Sequence, residues 1–340
     1  MATNYKYTVC TRCFTYNQKQ YILDALNGFV MQEISFPVVS VIVDDASTDG
    51  EQEVILDFFN ENFDTHNSEV AYKEDADYGT IYYAQHRGNK NCFFAIVLLK
   101  ENHYSQKKSK LLYITRWQDN AKYIALCEGD DYWTDSLKLQ KQIAFLEMNP
   151  NCCMAACSAY WKDESGSLTE KVVSNVEREL STEEVILGGG GYLSTCTLVM
   201  RGSLARVVPK WRAIANVGDY PLQIQGTLYG TLHYLPDIMV VYRWKHKGSW
   251  TNKYLGEDLQ MTYLHRKAEV EWMTELDRAT HHLFQKAIYG HLRPYYPVLY
   301  RKKMVSTREY LHSVLLVGGY ADYRSFLKNF VKHLIHYNTE

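Results

Sequence analysis

The chain lacks a dominant charge, a long apolar run and any repeated or low-complexity segment. Its 37 Lys and Arg residues nearly balance 39 Asp and Glu, giving a net charge of −2. No overall field therefore attracts nucleic acid, and we expect no nucleic-acid partner. No run approaches the roughly 20 apolar residues that span a bilayer, and the opening residues, MATNYKY, lack the apolar core of a signal peptide. These absences favour a cytoplasmic protein whose functional charges are local.

The chain has eight cysteines, and most of them lie inside apolar runs. This placement is typical of small buried side chains in a reducing compartment. Cys10 and Cys13 have the spacing of a zinc or redox motif, but residues three apart on a strand point to opposite faces of the sheet. No second Cys or His pair has matching spacing. We therefore expect these two cysteines to be core residues.

Short apolar runs that alternate with helical patterns predict an α/β fold with a mostly parallel, Rossmann-like central sheet and flanking helices. A chain of 340 residues is long enough to bury a sizeable core. The predicted strands are 7–14, 38–43, 92–99, 123–127, 152–161, 195–200 and 232–244. The predicted helices are 22–29, 54–59, 110–119, 139–146 and 181–187, with further helices beyond 257.

Polar clusters follow three of the predicted strands at the point where each strand ends. They are TYN at 15–17, DDASTDG at 44–50 and EGDD at 128–131. Taken singly, each is a plausible turn, because Asp, Asn, Ser and Gly dominate turns. Ligands of open parallel sheets bind beyond the carboxyl ends of the strands, so three such clusters at one edge predict a binding site. The acids at 128–131 would suit Mg²⁺ or Mn²⁺, which take oxygen ligands.

These motifs resemble those of glycosyltransferase family 2, whose members have the nucleotide-sugar-binding GT-A fold. The similar segments are 9–17, 41–50 and 123–133, with weaker similarity near Asp219 and at Tyr242 and Arg243. The resemblance covers about residues 5–250 and is to the bacterial polysaccharide or glycolipid type.

The resemblance implies a catalytic domain at 1–250 followed by a helical region at 251–340. Within the catalytic domain it implies a nucleotide-binding half, about 1–135, and an acceptor half, 136–250.

For the nucleotide, the resemblance implies that Thr15, Tyr16 and Asn17 line the pocket and that Asp44 binds the base or ribose. A carboxylate suits this task because it only accepts hydrogen bonds, and ribose hydroxyls and a base N–H donate them. Asp45 is the second candidate for nucleotide contact. The alternative for either aspartate is a cap on the helix that follows, which is favoured for Asp45.

For the metal, the resemblance implies that Asp130 touches an Mg²⁺ or Mn²⁺ ion bridging the two phosphates. Glu128 stands where the family has Asp, and its longer side chain suits an outer-shell or sugar-contacting role as well as a ligand role. Asp131 is either a further donor-site residue or a residue that orients the loop. His246, in the similar closing segment, is a candidate metal ligand or phosphate contact.

For the chemistry, the resemblance implies that Asp219 is the base that deprotonates the acceptor, with a helix cap as its alternative. Gly218 departs from the family, which commonly has Glu there. Arg243 is expected to contact phosphate or to pair with a structural carboxylate. Trp133 is expected to stack on a sugar or to pack in the core.

The resemblance therefore implies an inverting, metal-dependent transfer of a sugar from a nucleotide-diphosphate donor to a hydroxyl of a glycan or lipid-linked acceptor, in cell-surface polysaccharide or glycolipid synthesis. The alternatives are a sugar nucleotidyltransferase and a non-catalytic nucleotide-sugar-binding module. Beyond residue 281 the chain has nine Lys and Arg against three Asp and Glu. This basic, aromatic-rich region is expected either to lie on the inner face of an anionic membrane or to form a helical cover or a homo-oligomer contact.

Overall fold

A computed structural model of the chain describes residues 5–244, 251–252 and 258–337, with side chains as far as 332. The chain divides into two compact units. The first comprises 1–179, 193–207 and 229–244, and the second comprises 180–192, 208–228 and 245–340. The domain boundaries at 135 and 250 inferred from the sequence stay predictions.

A twelve-stranded sheet organises the first unit. Its strands are β1 (Tyr7–Thr15), β2 (Val38–Asp44), β3 (Tyr72–Ala76), β4 (Gly79–Gln85), β5 (Cys92–Leu99), β6 (Ala121–Leu126), β7 (Tyr132–Trp133), β8 (Cys152–Lys162), β9 (Leu168–Lys171), β10 (Arg178–Leu180), β11 (Val199–Arg201) and β12 (Thr231–Arg243). They lie in the order β10-β12-β8-β11-β6-β1-β2-β5-β4-β3, with β7 paired to β12 and β9 paired to β8.

The centre of the sheet is parallel. β1 pairs with β2 and β6, and β2 pairs with β5, all in parallel. Every residue of β2 is buried, as expected for a β-branched run covered on both faces. Thr15 lies opposite Asp44 in the register of β1 and β2, so both strands end at the same level. The predicted α/β fold with a mostly parallel core is confirmed.

Helices of the first unit cover this sheet. They are α1 (Ile22–Val30), α2 (Glu51–Asn62), α3 (Thr115–Gln118), α4 (Lys138–Met148) and α6 (Gly202–Arg206), with 3₁₀ turns at Lys110–Tyr113 and Thr195–Thr197. The buried side chains of α1 fall at helical spacing, for example Ile22, Leu26 and Phe29, which is why this helix is readable from the sequence.

The sequence does not predict the hairpin formed by β3 and β4. The reason is that β3 is almost wholly exposed and therefore lacks the alternation of apolar and polar residues that indicates a half-buried strand. Gly79 begins β4 against the backbone of β5: a Cβ at this position would lie 2.1 Å from the carbonyl oxygen of Leu98. Only glycine permits so close an approach of two strands.

The second unit is helical. Its helices are α5 (Thr182–Gly188), α7 (Lys210–Ala213), α8 (Asp219–Tyr229), α9 (Leu259–Ala279), α10 (Gln285–Leu292), α11 (Tyr296–Arg301), α12 (Thr307–Val317) and α13 (Tyr320–Tyr337). A capping box starts α5, with Ser181 and Glu184 bonded reciprocally. Within the described ranges, no helix has the length and apolar character needed to cross a membrane. The predicted helical C-terminal region is confirmed over the described residues.

Candidate active site

Three loops meet where β1, β2 and β6 end. The amide of Asp45 donates to the carbonyl of Thr15 at 3.0 Å, and the amide of Gly129 donates to the carbonyl of Phe14 at 3.1 Å. A Cβ on Gly129 would lie only 2.2 Å from Thr15 Oγ1, so the acidic turn sits directly on the end of β1. The structure therefore brings together the three polar clusters that the sequence places at strand ends.

The buried carboxylate of Glu51, at the start of α2, ties two of these loops together. It accepts hydrogen bonds from Thr15 Oγ1, from the amide of Gln18 at 2.8 Å and from Ser47 Oγ at 2.9 Å. Burial raises the pKa of Glu51, and these hydrogen bonds partly oppose the rise. Sequence reasoning missed this residue. The available signal was that Glu51 shares the buried stripe of α2 with Ile55 and Phe58.

Asp44 ends β2 and is fully buried. Its Oδ1 accepts from the amide of Ser47 at 3.0 Å and from the side-chain amide of Gln52. Its Oδ2 is buried and has no hydrogen-bond partner among the residues that the structure describes. Burial raises the pKa of Asp44, while the bonds from Ser47 and Gln52 lower it. An unsatisfied buried oxygen is costly unless a ligand supplies a donor.

The carboxylate of Asp45 bonds to residues of another loop. It accepts from the amides of His103 and Tyr104 at 2.7 and 3.0 Å and pairs with Lys110 Nζ at 3.3 Å. It therefore holds the loop at 102–110 and does not cap α2, so the favoured helix-cap interpretation is wrong for this residue. The carboxylate is already used within the protein, and its predicted contact with nucleotide stays a prediction.

Tyr16 and Asn17 complete the loop after β1. The amide of Asn17 donates to Ser47 Oγ at 2.8 Å, and its side-chain oxygen accepts from the amide of Thr48 at 2.8 Å. Asn17 has a positive φ of 53°, a conformation that Asn tolerates better than most residues. The Tyr16 side chain is 43% exposed. Asn17 thus ties its loop to the loop after β2, while the ring of Tyr16 is accessible.

The acidic turn contains one buried and two half-buried carboxylates. Asp131 is buried and accepts from the amide of Arg243 at 2.9 Å. Its pKa is raised well above the ordinary value, chiefly by burial and then by the charge of Asp130. Glu128 and Asp130 are half-buried. Asp131 therefore joins the turn to the end of β12, which is the loop-orienting role considered for it.

Arg243, the last residue of β12, also holds this turn through its side chain. The guanidinium pairs with the carboxylate of Asp24 in α1 and donates to the carbonyl of Asp130. The rings of Tyr21 and Tyr132 lie 4.5 and 4.8 Å from it. Of the two roles expected for Arg243, the structure shows the pairing with a carboxylate. The guanidinium is buried and already bonded within the protein, and its expected contact with phosphate stays a prediction.

Trp133 lies in the core, with 2% of its surface exposed. Its indole N–H donates to the carbonyl of Cys196 at 3.1 Å, and its ring packs edge-on against Phe29. The buried Lys138 places its Nζ 4.4 Å from the ring centroid. Core packing is the arrangement present, and the expectation of stacking on a sugar is corrected accordingly, because the ring has no accessible face.

The two cysteines near the N-terminus are also core residues. Cys10 and Cys13 are both buried, and burial raises the pKa of the Cys10 thiol to about 12. A thiol in this state is a poor nucleophile and a poor metal ligand.

Asp219 begins α8 in the second unit, half-buried, with its Oδ1 accepting from the amide of Tyr220 at 2.8 Å. The Tyr220 hydroxyl donates to the carbonyl of Ile186 at 2.6 Å, which anchors the first turn of α8. His246 lies outside the described residues. The roles predicted for both residues stay predictions.

The donor set of the acidic turn fits an ion that the substrate helps to hold. Among the described residues, no group of three or more His, Cys, Asp or Glu side chains could hold a metal ion. Mg²⁺, however, is usually bound through one or two carboxylates together with substrate phosphates. Asp130 and Glu128 supply such carboxylates at the edge where the three loops meet.

No protein-family model matches the chain. Over 246 residues the chain is 30% identical to uncharacterized protein Mb1547 of Mycobacterium bovis and to uncharacterized protein Rv1520 of Mycobacterium tuberculosis. Each alignment covers 71% of this chain, and the chain spans 60% of the length of these curated relatives.

Two solved structures share the fold. The crystal structure of S. aureus TarS 1-349 is 13% identical with a TM-score of 0.54, covering 95% of this chain and 89% of that chain. Mannosyltransferase PcManGT from Pyrobaculum calidifontis, in complex with GDP-Man and Mn²⁺, is 12% identical with a TM-score of 0.50, covering 97% and 88%. At these identities the likeness shows the fold alone.

Proposed function

We propose that this chain is an inverting glycosyltransferase that moves a sugar from a nucleotide diphosphate to a hydroxyl of a glycan or lipid-linked acceptor. The observation that carries the proposal is the buried Oδ2 of Asp44 at the carboxyl edge of the parallel strands, which has no hydrogen-bond partner in the described part of the chain. A ribose hydroxyl or a base N–H would satisfy this oxygen. The fold shared with a mannosyltransferase that was solved with GDP-Man supports a nucleotide-sugar donor.

In the proposed reaction Asp219 accepts the proton of the acceptor hydroxyl. The acceptor oxygen then forms a bond to the anomeric carbon from the side opposite the leaving group. The bond between that carbon and the diphosphate oxygen breaks, and its electron pair stays on the diphosphate. Attack from the opposite side inverts the configuration of the sugar.

Asp130 and Glu128 would hold a divalent ion, Mg²⁺ or Mn²⁺, and His246 is a further candidate ligand. When bound, the ion would offset the negative charge that grows on the leaving diphosphate. Neighbouring residues position the acidic turn that would hold this ion. Arg243 fixes the backbone at Asp130, and Gly129 allows the turn to lie against Thr15. This support by neighbouring residues is what a precise site requires.

The test combines nucleotide binding with turnover in two variants. GDP and UDP, each with Mn²⁺, are screened by thermal shift, because a ligand that binds only the folded chain raises its melting temperature. Asp44→Asn should lower nucleotide affinity about tenfold, and so reduce the thermal shift, since a carboxylate hydrogen bond is worth roughly 1.5 kcal/mol more than a neutral one. Asp219→Asn should keep the shift and lose transfer to an acceptor.

The outcomes separate this function from its alternatives. No stabilisation by any nucleoside diphosphate would overturn the proposal for the site as a whole. Stabilisation without turnover in the unaltered chain, across donors and acceptors, would leave a binding module. Release of inorganic diphosphate from a sugar phosphate and a nucleoside triphosphate would instead identify a nucleotidyltransferase.

A further inference from the structure

The last described helix, α13, exposes a face that mixes apolar and cationic side chains. We call it the basic face of α13, and it consists of Tyr320, Tyr323, Arg324, Leu327, Lys328, Val331 and Lys332. Its four apolar or aromatic members are between 39% and 79% exposed. Since Tyr320, Leu327 and Val331 recur at helical spacing, they form a stripe about 17 Å long at 1.5 Å per residue.

The opposite side of the helix is what holds it to the second unit. Phe326 and Asn329 are buried, and Phe326 packs edge-on against Tyr310 of α12, with 5.1 Å between ring centroids. Asp322, the one acidic residue of α13, pairs with Arg293 at 2.8 Å. The apolar stripe is thus additional to the residues that the fold needs for packing.

The charges of the basic face are all of one sign. Arg324, Lys328 and Lys332 follow one flank of the apolar stripe, and no acidic residue belongs to the face. The guanidinium of Arg324 lies 5.7 Å from the ring centroid of Tyr320, which places a cation beside an exposed aromatic. An ordinary solvated helix carries both signs of charge and few large apolar residues.

We propose that the basic face of α13 docks on an anionic lipid bilayer. The apolar stripe would enter the boundary between headgroups and acyl chains, and the flanking cations would contact lipid phosphates. Tyrosine is favoured at this depth because its ring is apolar and its hydroxyl is polar. The single sign of charge argues for lipid over a second copy of the same face, because two such faces would repel each other.

Vesicle binding tests this inference without donor or acceptor, so the result does not depend on the proposed transferase activity. The full chain is sedimented with vesicles of phosphatidylcholine alone and of equimolar phosphatidylcholine and phosphatidylglycerol, at low and high salt. We expect binding to the anionic vesicles at low salt, weakened by high salt, because salt screens exposed charges.

Two variants of the face and one matched control sharpen the test. Lys328→Gln with Lys332→Gln should weaken binding about 25-fold, since each cation near an anionic surface contributes roughly fivefold. The same change at two exposed lysines of the first unit, Lys73→Gln with Lys90→Gln, should leave binding unchanged. Leu327→Gln should lower the part of the binding that persists at high salt.

Three results would overturn the inference. They are equal binding to both kinds of vesicle, equal losses in the face and control variants, and a dimer in solution that the Leu327→Gln change dissociates. The last would show that another copy of the chain covers the stripe.

Discussion

Replacing Gly129 by Ala should separate the acidic turn from the end of β1. A Cβ at this position would lie 2.2 Å from Thr15 Oγ1, 2.6 Å from Thr15 Cβ and 2.7 Å from Gln18 Oε1. Real Cβ contacts are not found below 3.0 Å, so Thr15 or the turn must move by about an ångström. Thr15 is poorly placed to move, because its carbonyl and its hydroxyl are both hydrogen-bonded.

The cost follows from these contacts. Forcing an extra methyl group into a packed site destabilises a protein by about 1–3 kcal/mol. If Thr15 shifts, the buried carboxylate of Glu51 also loses a donor, which costs about 1–3 kcal/mol more. We therefore expect Gly129→Ala to lower the free energy of unfolding by about 3 kcal/mol. It should also weaken the nucleotide binding that we propose, because the loops at the ends of β1 and β6 would no longer meet correctly.

The assay is urea denaturation followed by the fluorescence of the seven tryptophans of the chain, which reports on unfolding as a whole. Gly88→Ala is the matched control: the nearest atom to its added Cβ would be the His86 ring at an ordinary 3.5 Å. The control should stay within about 0.5 kcal/mol of the unaltered chain. A loss below about 1 kcal/mol at Gly129, or equal losses at both positions, would refute the packing argument.

Two further substitutions test the hydrogen bonds around the site. Glu51→Gln replaces one accepting oxygen by a donor, so the chain should lose the bond from the Gln18 amide and bind nucleotide several-fold more weakly. Because burial raises the pKa of Glu51, the stability from its bound proton is present at low pH and falls as pH rises through that pKa. The difference in free energy of unfolding between the unaltered chain and Glu51→Gln should therefore narrow as pH rises. A difference that stays constant with pH in urea titrations would contradict this. Asp24→Asn should lower the free energy of unfolding by less than about 1 kcal/mol, since Asp24 is half-exposed. Asp24 pairs with Arg243, which holds the backbone at Asp130, so this variant should also need more Mn²⁺ for the donor binding that we propose. An unchanged Mn²⁺ dependence would exclude that role.

Most of the features that could be predicted for this chain follow from patterns that are local in the sequence. The strands at 38–43 and 92–99 are readable because both faces of each are largely buried and their residues form apolar runs that only Ser40 interrupts. The polar clusters follow from chain order, since parallel strands that end in the same direction place their next residues at one edge. The three clusters do meet at one edge of the sheet although no single cluster was decisive, and the binding site inferred there stays a prediction.

Contacts between distant residues were not predictable in the same way. Asp24 and Arg243 are 219 positions apart, and nothing in either local pattern indicates the other. Trp133 is of a residue type that can stack on sugars, and only its packing against Phe29 shows that it is buried. Glu51 resembles an ordinary acidic residue in the first turn of a helix, because the donors it accepts from come from other loops.

The shared carboxylate of Glu51 has a consequence for how the pocket responds to a ligand. The loops after β1 and β2 are fastened to one buried group, so their fluctuations should be correlated rather than independent. A nucleotide that meets such preorganised loops loses little entropy in ordering them. Amide hydrogens at Gln18 and Ser47 should then exchange with solvent at similar rates, with or without a ligand in the pocket.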